Sequence, residues 1–259
     1  MPFDLSVNLE YMFHEAGEAL EARLAAAVAA GYRKVEIFTT GGRDVPGLAA
    51  ALKREGATLW SVVADPRTRL IETETHEGFR AMFRRAADDA ATLGCERIVV
   101  GSGPGVPWMK RPVQLGIVSE AVASIVPIAE HFGLTIMLEA VNTRVDHPGV
   151  LFSRTEDAVA VIGAVGSPRV RLLYDLYHSV AEGEDPATVL PQVAPLIAHV
   201  QIADAPGRGE PGSGAIDWPA MLALIAATGY RGPLGVECSP TRASTAEALA
   251  FIRDLAAQA

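Results

Sequence analysis

A chain of 259 residues with 49% hydrophobic and 20% charged residues has an ordinary globular balance, which excludes a disordered or fibrous protein. Mean hydropathy is +0.22, but no run approaches the ~18 consecutive apolar residues that span a bilayer, and MPFDLSVNLEYMFHEAGEAL lacks a basic-then-apolar signal, so a soluble cytoplasmic protein is expected. The net charge of −9 opposes attraction to nucleic acid or anionic membrane, and two cysteines, Cys95 and Cys238, are too few for a disulfide scaffold.

Short β-branched runs alternate with longer Ala/Leu/Glu/Arg-rich stretches of helical period, the pattern of a parallel α/β protein. Strands are predicted at Leu5–Leu9, Lys34–Phe38, Thr58–Val63, Arg97–Val100, Thr135–Glu139, Val170–Asp175, Ala198–Ile202 and Leu234–Glu237. Helices are predicted at Ala16–Ala30, Val45–Arg54, His76–Leu93, Val113–His131, Thr155–Val165, Pro186–Pro195, Pro219–Thr228 and Ser244–Ala257. Gly31, Gly56, Gly94, Gly133, Gly166 and Gly229 follow helical stretches, where glycine accepts the left-handed backbone that ends a helix. Ser153 and Thr155 ahead of Glu156 mark one helix start, and Ser244 with Glu247 has the spacing of a capping box. Eight strand–helix units in 259 residues average about 32 residues each, the size of a (β/α)8 TIM barrel. No linker or composition break divides the sequence, so residues 1–259 read as one α/β barrel domain, with a doubly wound open sheet as the alternative.

In such a barrel the chemistry lies at the C-terminal ends of the strands. Four successive strands end in an oxygen-bearing side chain after an apolar run: Glu139 in LTIMLE, Asp175 in VRLLYD, Gln201 in HVQI and Glu237 in PLGVE. Three converging carboxylates repel one another, and burial raises their pKa values unless a cation neutralises them. An all-oxygen donor set suits Mg²⁺ or Mn²⁺ better than Zn²⁺. Taken singly, each is equally well a paired strand-end group; the four together carry the reading.

LEAVN at 138–142, YDLYH at 174–178, HVQIADAPGRGEPGSGAID at 199–217 and GVE at 235–237 resemble the hydroxypyruvate isomerase family of xylose-isomerase-like TIM barrels, as does the opening SVNLEYMF. The likeness runs in order along the whole chain and is most specific in the 199–217 segment. It implies metal ligands at Glu139, Asp175, Gln201 and Glu237, with Glu139 and Glu237 also acting as an acid/base pair, and a substrate-facing His178. The chain departs from the family at EIFTTGGRD after the second strand and at VVADPRTRLIETETHEGF after the third, loops that shape the mouth of a barrel.

The turn-rich segment Pro206–Gly214 directly follows the seventh strand, placing Arg208 to grip a substrate carboxylate through its bidentate fork and Glu210 to orient it or another polar group. His178 alone reads equally well as a buried group bonded within the core. Gly101–Gly105 reads as a strand-end turn rather than a phosphate loop, since Pro104 interrupts the backbone donors. Glu36, inside the second strand, has no assigned role. The expected activity is a metal-dependent isomerisation of a small 2-keto hydroxy acid, of the hydroxypyruvate to tartronate semialdehyde type, through an enediolate. Its rivals are a ketose 3-epimerase or a 2-oxo-tetronate or sugar isomerase on the same metal site, a zinc-dependent DNA-repair endonuclease of the endonuclease IV type, and a non-catalytic metal-binding barrel. The expected partner is a small keto acid or sugar, with pairing into a homo-oligomer as in related barrels.

Overall fold

The computed structural model describes residues 3–64 and 68–257; Asp65, Pro66 and Arg67, within the divergent loop after the third strand, lie outside it. Eight strands follow one another in the chain: β1 Leu5–Asn8, β2 Lys34–Ile37, β3 Thr58–Val63, β4 Arg97–Val100, β5 Thr135–Glu139, β6 Val170–Asp175, β7 Ile197–Ile202 and β8 Leu234–Val236. Every neighbouring pair is parallel, and β1 pairs with β8 through Leu5–Leu234 and Val7–Val236, so the sheet closes on itself. Around it lie α1 Leu20–Ala29, α2 Val45–Glu55, α3 His76–Leu93, α4 Arg111–Phe132, α5 Thr155–Val165, α6 Leu176–Glu182, α7 Pro186–Val193, α8 Trp218–Ala227 and α9 Thr245–Ala257. This is a (β/α)8 TIM barrel, with an extra helix, α6, after β6.

The six glycines expected to stop helices all have positive φ, between 62° and 95°. Three departures from the sequence pattern have local reasons. Residues 14–16 form a separate 3₁₀ turn, cut off from α1 by Gly17 at φ 114°. The start of α5 is held by Asp157, whose carboxylate accepts from the Arg154 and Ser153 amides at 2.9 and 3.2 Å, rather than by the Ser153 and Thr155 hydroxyls. Helix α6 is not among the predicted elements: its first four residues, Leu176 to Ser179, are all buried, so it shows no amphipathic stripe. Helix α4 is long and apolar enough by composition to cross a membrane, yet Val118, Val122, Ile125 and Ala129 are buried in the core, and Ser119, Glu120 and Glu130 break its apolar run.

Most of the core lies between the sheet and the helices. Inside the barrel the filling is divided. Val99, Met137 and Leu173 on β4 to β6 form a small apolar plug. The other half is polar: Ser6 (β1), Glu36 (β2), Ser61 (β3), His199 and Gln201 (β7) are all buried, and the other four bond to Glu36. Strands β2 and β7 are not neighbours, so these contacts run through the lumen. Two backbone features make room for them. The β2–β3 register skips Trp60, a bulge that lets Ser61 face Glu36. At Gly235 a Cβ would stand 2.5 Å from Glu36 Oε1 and 2.6 Å from His199 Nε2, so only glycine fits there.

Candidate active site

Glu139 and Asp175 are the last residues of β5 and β6, Gln201 is the penultimate residue of β7, and Glu237 follows β8 directly. The barrel brings these four ends together. Gln201 Nε2 donates to Glu237 Oε2 at 2.9 Å, Arg208 Nη2 donates to Glu237 Oε1 at 2.6 Å, and the same guanidinium nitrogen lies 3.8 Å from Asp175 Oδ2. His178 Nε2 stands 3.9 Å from Glu139 Oε1 and 3.8 Å from Asp175 Oδ2. Glu139, Asp175 and His178 each offer an atom within 4.8 Å of the other two.

Hydrogen bonding separates the roles of these groups. Asp175 Oδ1 caps α6 by accepting from the His178 amide at 3.0 Å, which leaves Oδ2 facing the cluster. In Asn142, Oδ1 accepts from the Val145 and Asp146 amides at 2.9 and 3.0 Å, which fixes Nδ2 as the end that donates to His178 Nδ1 at 2.7 Å. The Asn142 backbone amide also points at Nδ1, at 3.3 Å. With Nδ1 an acceptor, the neutral ring carries its hydrogen on Nε2 and aims a donor, not a lone pair, at the carboxylates. Burial, then Arg208 and His147, push the His178 pKa well below its ordinary value, in keeping with a neutral ring. In this tautomer Nε2 offers the cluster a hydrogen-bond donor rather than a lone pair.

The three carboxyls are electrostatically frustrated. Burial, followed by the Glu237 and Asp175 charges, raises Glu139 well above the usual carboxylate range. Burial pushes Glu237 up to about 7 against the pull of Arg208, and raises Asp175 in the same way. Gln201 supplies the complementary sign. Its Nε2 is committed to Glu36 Oε2 at 3.0 Å and to Glu237, and its Oε1 is the buried side-chain atom without a hydrogen-bond partner among the described residues. An orphaned amide oxygen beside raised carboxyls fits a divalent cation held by oxygen ligands.

Arg208 has a left-handed backbone at φ 54°, and its guanidinium lies 5.0 Å from the rings of both Tyr11 and Tyr177. The loop carrying it is fastened by buried Asp204, which accepts from the Ala205, Gly212 and Ile216 amides and from Trp218 Nε1 at 2.7–3.2 Å. Glu210 does not join the cluster. It is buried with its oxygens on the Thr241 amide (2.7 Å) and hydroxyl (2.9 Å) and beside Arg242, so it clamps the loop after β8 instead of facing a substrate. Sequence reasoning passes over Asn8, whose Nδ2 donates to Glu237 Oε2 at 2.8 Å, and Asn142. The strand-end rule applied to β1 would have found Asn8; the position of Asn142 three residues beyond Glu139 carries no signal of its own.

The sequence pattern of the xylose isomerase-like TIM barrel matches residues 24–255. A Homo sapiens relative provisionally named a hydroxypyruvate isomerase is 30% identical, over 97% of this chain and 95% of its own length. A 2-oxo-tetronate isomerase of Cupriavidus necator is 31% identical, over 96% of each chain. Among solved structures, that of a Brucella melitensis protein described as an AP endonuclease of family 2 superposes with a TM-score of 0.89 at 27% identity, covering 98% of this chain and 99% of that one. With a closed eight-stranded barrel and a family match over nearly its whole length, this chain belongs to the xylose isomerase-like TIM-barrel family.

Proposed function

We propose that the protein is an aldose–ketose type isomerase of small 2-keto hydroxy acids that depends on Mg²⁺ or Mn²⁺, interconverting hydroxypyruvate and tartronate semialdehyde or a close homologue. The observation that carries this reading is the orphaned Gln201 Oε1, on an amide whose other end bonds Glu237, together with three carboxyls that burial disfavours as anions. Glu139, Asp175, Gln201 and Glu237 would hold the cation. When bound, it supplies Lewis acidity toward adjacent hydroxyl and carbonyl oxygens.

The chain's own groups provide the rest. In the reaction a proton leaves C3 and another arrives at C2, while the hydroxyl proton passes from O3 to O2. Glu139, which has no hydrogen-bond donor on its carboxyl among the described residues, takes the carbon-bound proton; Glu237, held by Asn8, Gln201 and Arg208, acts on the other side. His178 directs its Nε2 hydrogen at a substrate oxygen. Arg208 is the cation available to a substrate carboxylate, and Tyr11 and Tyr177 flank it. The names of the human and Cupriavidus relatives support this substrate class. The name of the Brucella protein favours DNA repair instead. Against that stand a cluster with one histidine, its donor turned inward, and a net charge of −9 that repels a phosphate backbone.

The test offers hydroxypyruvate, 2-oxo-tetronate and free ketoses to protein treated with chelator and then supplied with Mg²⁺ or Mn²⁺. Metal-restored turnover of a keto acid is expected. Turnover of ketoses alone would make it an epimerase, and bound metal without turnover a non-catalytic barrel.

A further inference from the structure

Glu36 lies at the middle of the polar half of the lumen and touches none of the reacting groups. Its carboxylate is saturated: Ser6 Oγ and His199 Nε2 donate to Oε1 at 2.5 and 2.9 Å, and Ser61 Oγ and Gln201 Nε2 donate to Oε2 at 2.8 and 3.0 Å. Trp60 Nε1 can only donate, and it points at His199 Nδ1 at 3.1 Å. That contact makes Nδ1 an acceptor and puts the ring hydrogen on Nε2, toward Glu36. A directed chain therefore runs from Trp60 through His199 to Glu36, and Glu36 meets the amide end of Gln201.

We infer that Glu36 is a positioning residue that fixes which end of the Gln201 amide faces the site. With Glu36 and Glu237 both accepting from Nε2, Oε1 is left as the unpartnered end of the amide. The flipped amide would set Oε1 against two carboxylates and present hydrogens to the metal position. This inference rests on the metal reading above. It adds that the fourth ligand is defined from below, by a carboxylate that never touches the ion. Groups that orient metal ligands typically change metal affinity by 10–100-fold when removed.

Mn²⁺ binding by calorimetry tests it on the full chain. Glu36→Gln keeps an acceptor oxygen for only one of the two N–H donors, His199 Nε2 and Gln201 Nε2, and its Mn²⁺ Kd should weaken by roughly 10–100-fold. Glu36→Asp keeps the charge but withdraws it by one methylene, and should weaken binding about tenfold; unchanged affinity would mean that only the charge matters and would overturn the assignment. The double variant Glu36→Gln/Gln201→Glu reverses the polarity of the contact, since the amide introduced at position 36 can donate to the carboxylate introduced at position 201 and leave its second oxygen free. It should bind Mn²⁺ more tightly than the separate effects of Glu36→Gln and Gln201→Glu add up to, a coupling that two independent changes would not produce. Equal affinities of wild type and Glu36→Gln, or a double variant whose affinity is the sum of its two single effects, would refute the positioning role while leaving the metal site standing. Wild-type protein that binds no Mn²⁺ would remove both.

Discussion

The raised carboxyls make the stability of the metal-free protein depend on pH in a defined window. Moving the buried Glu237 carboxyl from its ordinary 4.5 to about 7 is worth about 3 kcal/mol at 1.36 kcal/mol per pH unit. The unfolded chain ionises this group near 4.5, and the folded one keeps its proton until about 7. Between those values the folded state binds more protons, so unfolding becomes easier as pH rises. The Glu237 share of this loss begins near 4.5 and is complete above about 7. For a protein of this size each kcal/mol moves Tm by ~2–4 °C, so the contribution is on the order of 10 °C. The assay is a thermal melt in chelator at half-unit steps of pH, with and without saturating Mn²⁺. At a hundred times its Kd, Mn²⁺ should return about 2.7 kcal/mol at the upper end of the window. Glu237→Gln should shallow the slope, whatever constant offset it adds through Arg208. A metal-free Tm that is level between about pH 4.5 and 7, or a slope unchanged in Glu237→Gln, would refute the account of frustrated carboxyls.

Three further outcomes follow from the site. Glu139→Gln should lower kcat by roughly 10²–10⁴-fold, the usual weight of a general acid or base, with Tm preserved or raised; near-normal kcat would end its acid/base role. Asn142→Asp replaces the donor on His178 Nδ1 by an acceptor, so ¹⁵N spectra should move from the Nε2–H to the Nδ1–H tautomer and turnover should fall, whereas an unmoved tautomer would contradict the assignment. Asp204→Ala leaves the Ala205, Gly212 and Trp218 donors without their acceptor, a loss of about 3 kcal/mol or more, read as a lower Tm and faster protease cleavage within residues 205–216.

The barrel and its four oxygen donors could be read from the chain because each rests on a local contrast. An apolar strand that ends in Glu139, Asp175, Gln201 or Glu237 announces both its burial and its polar tip. Other features had no local signature. Glu36 is one acidic residue in a strand, and only the closure of the sheet shows that it meets His199 from the far side. Asn8 and Glu237 are 229 positions apart. Glu210 lies in the same turn-rich stretch as Arg208, and the choice of which side chain enters the site is made by Asp204, which folds the loop around itself. Helix α6 is too short and too fully buried for periodicity to reveal it.

The bond between Asn8 and Glu237 crosses the line where the first strand meets the last. Translation proceeds from one side of that seam to the other. A nascent chain that has released seven strands already carries Glu139, Asp175 and Gln201 but lacks the eighth strand that closes the sheet and the carboxylate that follows it. Two more contacts on the same seam, Phe13 to Thr245 and Thr245 to Glu15, also wait for the final unit. Site assembly and barrel closure are then a single late event in biosynthesis. The cation site proposed above would then be complete only once the ring has shut, and a chain still lacking its last unit would hold three of the four proposed ligands.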